Sequence, residues 1–238
     1  MNTVAAFCRR LLPYSPENFS DGQRNSYLMG TAFWRTMVVV GLGLAGAHDA
    51  LAADFQLTPA ESRKLDAREI VIRASLDSGQ RRGTVRAAVK INAPPAVVFQ
   101  VMESCADAVQ YVPHLRVCRV RDRARDGSTQ LVEQEIDFGW YAPRLKWVFR
   151  ADFIKDQSIT FHQVAGDFKA NSGLWEFESI NEGTATLLRY RATIDPPGYV
   201  PNWLARSTFK RELPQMLTDL RRRCEAEQVL RAQAAATH

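Results

Sequence analysis

The sequence predicts an α+β fold in which a curved antiparallel sheet wraps around one long C-terminal helix. Between residues 115 and 194, apolar and polar side chains alternate in six segments, which is the pattern of half-buried strands. Short polar turns such as Asp126-Gly127-Ser128 separate several of these segments, so neighbouring strands should run antiparallel. After residue 201 the apolar spacing changes to three and four, which predicts a helix with one buried face.

Residues 53–83 precede the main domain and are predicted to add one helix and one strand. Thr58-Pro59-Ala60-Glu61 is a capping box with proline at the first helical position, so a short helix should begin there. Residues 69–74 are rich in branched apolar side chains and are typical of a strand. This segment is therefore predicted to be an N-terminal extension that consists of a helix and a strand.

The main domain is predicted to cover residues 84–230. It begins with a strand at 84–92, in which valine and isoleucine alternate with arginine and lysine. Ala93-Pro94-Pro95 ends this strand and begins a helix that breaks near Ser104, and a second short helix follows. The six later strands are predicted at 115–124, 129–138, 145–153, 158–164, 173–180 and 184–194.

The last helix should run from about Pro201 to residue 230. Pro214 lies inside it and predicts a kink, because proline lacks the N–H that the helix needs at that position. Residues 231–238 are predicted to be a disordered tail. The long helix is the apolar element best able to cover the concave face of the sheet.

Residues 29–52 have the pattern of a secretory signal peptide. Arg35 precedes an apolar core of about ten residues, and Ala50-Leu51-Ala52 follows with small residues at the spacing of a cleavage site. A buried helix is the alternative, which the glycines in this core disfavour. We expect residues 1–28 to be a leader from a misassigned start codon and the protein to be periplasmic, or tethered to the inner membrane if the signal is uncleaved.

An oxidising compartment changes the interpretation of the cysteines. Cys105 and Cys118 flank a turn signal, so a helix end and a returning strand could bring them within bridging distance. We expect a disulfide between them, and the alternative is two buried thiols. Cys224 lies on the apolar face of the last helix and should be a small buried side chain.

Composition and motifs exclude several classes of function. The chain has 238 residues, of which 46% are hydrophobic and 24% are charged, so it is a globular protein. Its net charge of +5 and its secretion signal give no support for a nucleic-acid partner. No P-loop or G-x-S-x-G motif occurs, and the histidines lack the spacing of a metal site, so neither a metal nor a cofactor is expected.

Residues 91–120, INAPPAVVFQVMESCADAVQYVPHLRVCRV, resemble the opening of START-like domains in the polyketide-cyclase and coenzyme-Q-binding group of the SRPBCC superfamily. Leu174-Trp175-Glu176-Phe177 and Arg211-Glu212-Leu213-Pro214 follow in the same order as in that group. The resemblance covers about residues 84–225. It implies a helix-grip fold with an apolar cavity, but members bind lipids, quinones, sterols or hormones and some are enzymes.

Aromatic residues are the side chains best suited to line such a cavity. On one strand, Trp147 and Phe149 share a face. Loop residues such as Trp140 and Trp203 would form its mouth or a rim that faces a membrane, and the alternative is ordinary loop packing. The residues predicted to line the cavity are Tyr111, Trp140, Trp147, Phe149, Phe161, Trp175, Trp203, Leu213 and Leu217.

We therefore predict non-enzymatic binding or transport of a hydrophobic small molecule that is a lipid, an isoprenoid or quinone-like, together with peripheral contact with a membrane. The alternative function is a cyclase or dehydratase acting on an aromatic or polyketide-like substrate. That reaction needs an acid or a base facing the cavity. The candidates are His114, His162, Tyr111 and Asp137. A third hypothesis is a structural envelope protein with a closed core.

Overall fold

The computed structural model describes residues 55–77, 82–140, 142 and 144–237. The predicted leader and signal peptide lie outside the described residues. The described helices are α1 (Pro59–Asp66), α2 (Pro95–Glu103), α3 (Cys105–Tyr111), α4 (Asn202–Ser207) and α5 (Leu213–Ala236). The described strands are β1 (Val71–Leu76), β2 (Gly83–Ile91), β3 (Leu115–Arg123), β4 (Thr129–Ile136), β5 (Leu145–Ile154), β6 (Ser158–Gly166), β7 (Ala170–Ile180) and β8 (Ala185–Asp195).

The eight strands form one antiparallel sheet in the order β1-β2-β8-β7-β6-β5-β4-β3. The predicted α+β class, with a curved antiparallel sheet and a long C-terminal helix, is confirmed. Strands β3 to β8 are consecutive hairpins, as the short polar turns predict. The exception is β2, which pairs with β8, for example at Val89 and Leu188. Strand β1 adds to the outer side of β2, so the N-terminal segment belongs to the same sheet.

The core lies between one end of the concave face and helices α2 and α5. Leu217, Leu220 and Cys224 of α5 are buried against Val89 of β2 and Val98 of α2. Their spacing of three and four residues places them on one side of α5, as the sequence predicts. This end of the sheet is therefore filled by packed side chains.

The C-terminal helical segment is interrupted before Pro214. Five residues, Thr208–Glu212, form a π-helix between α4 and α5. Proline removes one hydrogen-bond donor and crowds the preceding turn, so a wider turn at this point is physically reasonable.

Helix α5 continues to Ala236. The expectation of a disordered tail is therefore corrected, because residues 231–236 are helical. Arg231 holds this part of the helix. Its Nη2 donates to Oε1 of Gln100 in α2 at 2.7 Å, and its Nε lies 3.0 Å from Glu227. These contacts link the last turns to the rest of the fold.

The convex face carries ion pairs between neighbouring strands. Glu133 on β4 is nearly inaccessible to solvent and pairs with Arg121 of β3 and with Lys146 of β5. Hydrogen bonds from Lys146 and Arg121 hold the pKa of the Glu133 carboxyl below its usual value. Nearby, Arg144 pairs with Glu135. The acidic residues of β4 therefore neutralise basic side chains on the side of the sheet opposite the helix.

Candidate ligand-binding cavity

A cavity of about 300 Å³ lies between the concave face of the sheet, α3 and the segment formed by α4 and the π-helix. This volume falls at the lower end of the range for small-molecule sites. The lining is mostly apolar, and nine aromatic side chains contribute to it. They are Tyr111, Phe138, Trp147, Phe149, Phe153, Phe161, Phe168, Trp175 and Tyr190.

Strand β5 supplies the centre of the cavity floor. Trp147, Phe149, Ala151 and Phe153 alternate along the strand and all line the cavity, because successive side chains of a strand point to opposite faces. The ring of Phe149 makes an edge contact with Phe161 of β6, with centroids 6.1 Å apart. Because aromatic residues occupy alternate positions of β5, their rings lie side by side on the face of the strand that lines the cavity.

The floor continues onto the neighbouring strands through stacked rings. Trp175 of β7 stacks on Tyr190 of β8 with 3.9 Å between ring centroids. Phe161 approaches the same tyrosine in a stacked orientation at 6.5 Å. Burial of the Tyr190 phenol raises its pKa above the usual value. This phenol therefore stays neutral at physiological pH.

A disulfide forms part of the cavity wall. Cys105 at the start of α3 is bonded to Cys118 of β3, with 5.2 Å between their Cα atoms, and both residues line the cavity. The structure thus contains the bond that the cysteine positions predict. Cys224 is a free and buried thiol, and burial raises its pKa to about 12, so it is a poor nucleophile.

Of the nine residues predicted to line the cavity, five lie in its wall: Tyr111, Trp147, Phe149, Phe161 and Trp175. The expectation for Leu213 and Leu217 is corrected, because both leucines are buried and lie outside the lining of the cavity. The expectation for Trp140 and Trp203 is corrected as well, because their side chains are 97% and 57% exposed and outside the lining.

Among the four candidate catalytic residues, Tyr111 lines the cavity and the others do not. Burial raises the pKa of the Tyr111 phenol above its usual value, so it is protonated at neutral pH. His162 is exposed and lies on the opposite face of β6 from Phe161. The pKa of Asp137 is lowered, chiefly by the backbone N–H of Gly139, so this carboxylate is ionised.

His114 lies beside the cavity, outside its lining. Its backbone has a φ of 61°, a left-handed conformation that is uncommon for residues other than glycine. Its imidazole packs against Phe138 with 5.1 Å between ring centroids, and its Nε2 lies 3.7 Å from Oε1 of Glu212. The histidine therefore contacts two lining residues, Phe138 and Glu212, without lining the cavity itself.

Glu212 is a lining residue that the sequence analysis did not select. It ends the π-helix, and burial raises the pKa of its carboxyl, although the charge of His114 and the hydroxyl of Thr208 partly offset this effect. The break at Pro214 is the sequence signal that could have indicated it. A break in a long helix changes which residues face the sheet.

Two further classes of site are not found in the described part of the chain. Its His, Cys, Asp and Glu side chains form no group of three that could hold a metal ion. None of its helices combines the length and the apolar character that crossing a membrane requires.

Residues 91–221, more than half of the chain, match the family model described as polyketide cyclase / dehydrase and lipid transport. The chain belongs to this family. The match begins at the last residue of β2 and ends within α5, so it covers the cavity and its covering helical segment. No curated protein matches the chain.

Several solved structures share the fold of this chain. A STAR-related lipid transfer protein fragment from Xanthomonas axonopodis has a TM-score of 0.56 at 16% identity, covering 67% of this chain and 95% of that one. Human STARD10 has a TM-score of 0.58 at 8% identity, covering 71% and 74%. A START superfamily protein from Mycobacterium smegmatis has a TM-score of 0.52 at 14% identity, covering 60% and 97%.

At these identities the likeness shows the fold alone. The predicted START-like, helix-grip fold is thereby confirmed for this member of the polyketide cyclase / dehydrase and lipid transport family.

Proposed function

We propose that this protein binds and transports a hydrophobic small molecule, such as a lipid, an isoprenoid or a quinone-like compound. The observation that carries the proposal is the cavity of about 300 Å³ with a mostly aromatic and aliphatic lining. The description of the family includes lipid transport, and a solved relative in fold is called a lipid transfer protein. Both support a carrier function.

The expected affinity comes mainly from removing apolar surface from water. Each buried methylene contributes about 0.8 kcal/mol, so a ligand with ten of them gains about 8 kcal/mol in the cavity. Association itself costs about 4–15 kcal/mol in lost translational and rotational freedom. Ligands with short apolar chains should therefore bind weakly, and affinity should rise with chain length until the cavity is full.

The test is to purify the full chain, extract it with organic solvent and analyse the extract and the intact protein by mass spectrometry. A neutral fluorescent hydrophobe, N-phenyl-1-naphthylamine, then reports binding to the delipidated protein. We expect one dye molecule per chain and its displacement by long-chain lipids. A protein that carries no lipid and binds neither dye nor lipid would contradict the proposal.

We also propose that the ligand is exchanged while the protein rests on a membrane surface. Phe138, Val200 and Leu204 line the cavity and pack in one cluster. Each of these lining residues has an exposed aromatic residue one or two positions away in the sequence. These exposed residues are Trp140, Tyr199 and Trp203.

Aromatic side chains of this kind favour the interface between lipid and water. Lys210 and Arg211 are also exposed close by in the sequence and suit an anionic surface. We expect Trp203→Ala to lower co-sedimentation with vesicles containing anionic lipid. Val229→Ala, at an exposed position near the end of α5, is the matched control. Equal vesicle binding by both variants would contradict the proposed contact between these aromatic residues and the membrane.

We propose that the protein carries out this function in a periplasm. The pattern of residues 29–52 and the disulfide between Cys105 and Cys118 support this location, because disulfides persist in oxidising compartments. Expression of the full chain in a Gram-negative bacterium, followed by fractionation and mass measurement, tests it. A product that starts near residue 53 is expected in the periplasmic fraction, and a full-length product confined to the cytoplasm would contradict it.

A further inference from the structure

Glu212 places a carboxylate in the wall of an otherwise mostly apolar cavity. Its side chain keeps only 20% of its accessible surface, and burial of a carboxylate is costly unless a partner satisfies it. Its nearest basic atom, Nε2 of His114, lies 3.7 Å away, which is longer than a hydrogen bond. The carboxylate is therefore only partly compensated by the protein.

Glu103, the other carboxylate among the lining residues that the structure describes, is fully paired within the protein. Oε1 of Glu103 accepts a hydrogen bond from Nε2 of Gln130 at 2.9 Å and pairs with Nη1 of Arg123 at 3.0 Å. This pair of contacts fixes Glu103 as a structural link between α2 and the sheet. Of the two lining carboxylates, Glu212 is the one left to interact with a ligand.

Two unusual backbone features hold Glu212 in this position. The residue ends the π-helix, a form that is rare and is frequently found at functional sites. His114, whose imidazole lies next to the carboxylate, has a left-handed backbone that is unfavourable in a non-glycine residue. Strain of this kind persists only where surrounding contacts impose it, and here the imidazole packs between Glu212 and Phe138.

The hydrogen-bonding character of this end of the cavity limits the ligand. A carboxylate only accepts hydrogen bonds. The single hydroxyl proton of Thr208, which also lines the cavity, is engaged within the protein by the carbonyl of Leu204, 3.1 Å away, or by the Glu212 carboxylate, so toward a ligand this hydroxyl is an acceptor. The complementary ligand group must be a donor, and an anionic headgroup is disfavoured by repulsion from Glu212.

We propose that Glu212 anchors the hydroxyl group of an amphiphilic alcohol whose apolar part fills the aromatic cavity. This inference rests on the proposed carrier function. An ammonium group is also a donor, but removing its charge from water is far more costly than removing a neutral hydroxyl. His114 acts as a positioning residue, because its imidazole contacts Glu212 and does not reach the cavity lining.

The experiment compares four ligands that share a chain of the same length and differ at one end: dodecan-1-ol, 1-methoxydodecane, dodecylammonium and dodecanoate. Each displaces N-phenyl-1-naphthylamine from the delipidated full-length protein. We expect the alcohol to bind about tenfold more tightly than the methyl ether, which accepts but cannot donate a hydrogen bond. Dodecanoate should bind least tightly.

The variants test whether Glu212 causes this preference. Glu212→Leu should reduce the difference between alcohol and ether to less than about threefold, and Glu212→Gln should retain part of it through the amide oxygen. Glu178→Gln is the matched control, because Glu178 lies on β7 outside the cavity lining and pairs with Arg189. This control should keep the full difference.

Each outcome separates the inference from the function on which it rests. If none of the four ligands displaces the dye, the carrier function fails. If alcohol and ether bind equally well to the unmodified protein, or if the ammonium or the carboxylate binds most tightly, the carrier function stands and the hydroxyl assignment is wrong. Since this comparison needs no variant, it remains decisive even if Glu212→Leu does not fold.

Discussion

The substitution Ala151→Leu tests directly whether the cavity is open space that a ligand can enter or a packed part of the core. Ala151 lies on β5 between Phe149 and Phe153, lines the cavity and is only 2% exposed. Leucine adds three carbon atoms at the centre of the cavity floor. In an open cavity these atoms enter free space, whereas in a packed core they collide with their neighbours.

The two cases differ in the sign of the change in stability. Three methylene-sized groups that fill empty apolar space contribute at most about 2.4 kcal/mol to the free energy of unfolding. The same atoms forced into a packed interior cost about 1–3 kcal/mol. If the new side chain takes the place of an equal part of the ligand, a loss of 2.4 kcal/mol corresponds to a roughly 50-fold weaker affinity.

The assay combines urea unfolding of the delipidated protein with titration of N-phenyl-1-naphthylamine. We expect Ala151→Leu to unfold at the same or higher urea concentration than the parent protein and to bind the dye at least tenfold less tightly. Ala165→Leu, at an exposed position of β6 outside the lining, is the control and should change neither value appreciably. A destabilised Ala151→Leu protein with unchanged dye affinity would refute the reasoning.

Three further changes test other parts of the fold. Replacing Cys105 and Cys118 by serine should lower the free energy of unfolding by about 3 kcal/mol in urea, and an unchanged midpoint would show that the bond is dispensable. Glu212→Gln should raise stability at pH 7 but not at pH 3.5, because burial raises the pKa of the wild-type carboxyl and its ionisation above that pKa is destabilising; urea curves that shift equally at both pH values would contradict this. Leu217→Ala should cost about 2–5 kcal/mol in thermal or urea unfolding while leaving dye affinity unchanged, and a matching loss of dye affinity would place Leu217 in the cavity wall after all.

The strands and their order along the chain could be predicted because a sheet with one buried face has a period of two residues. The face of β5 that carries Trp147 and Phe149 follows directly from this alternation. Pairing between β2 and β8 is different, because no local pattern records which distant strand completes a sheet. The sequence analysis therefore does not predict this pairing, which only the structure shows.

The wall supplied by the C-terminal segment could not be predicted from periodicity. A regular helix from Pro201 onward would direct Leu213 and Leu217 toward the cavity together with the rest of the apolar stripe. In the structure a π-helix precedes Pro214, Glu212 at its end lines the cavity, and Leu213 and Leu217 are buried outside the lining. Loop residues such as Trp140 have no periodicity, and their exposure depends on tertiary structure alone.

The pairing of β2 with β8 has a consequence for how the chain acquires its structure. Gly83 pairs with Ile194 and Ile91 with Thr186, so strands roughly a hundred residues apart must meet before the sheet is complete. Contacts of such long sequence separation slow folding, because the entropy of closing the intervening loop is lost before the pairing is gained. A nascent chain that ends before β8 leaves β2 and β7 with open edges. Aggregation is therefore most readily expected before the last 54 residues, from Ala185 to the end of the chain, have been synthesised.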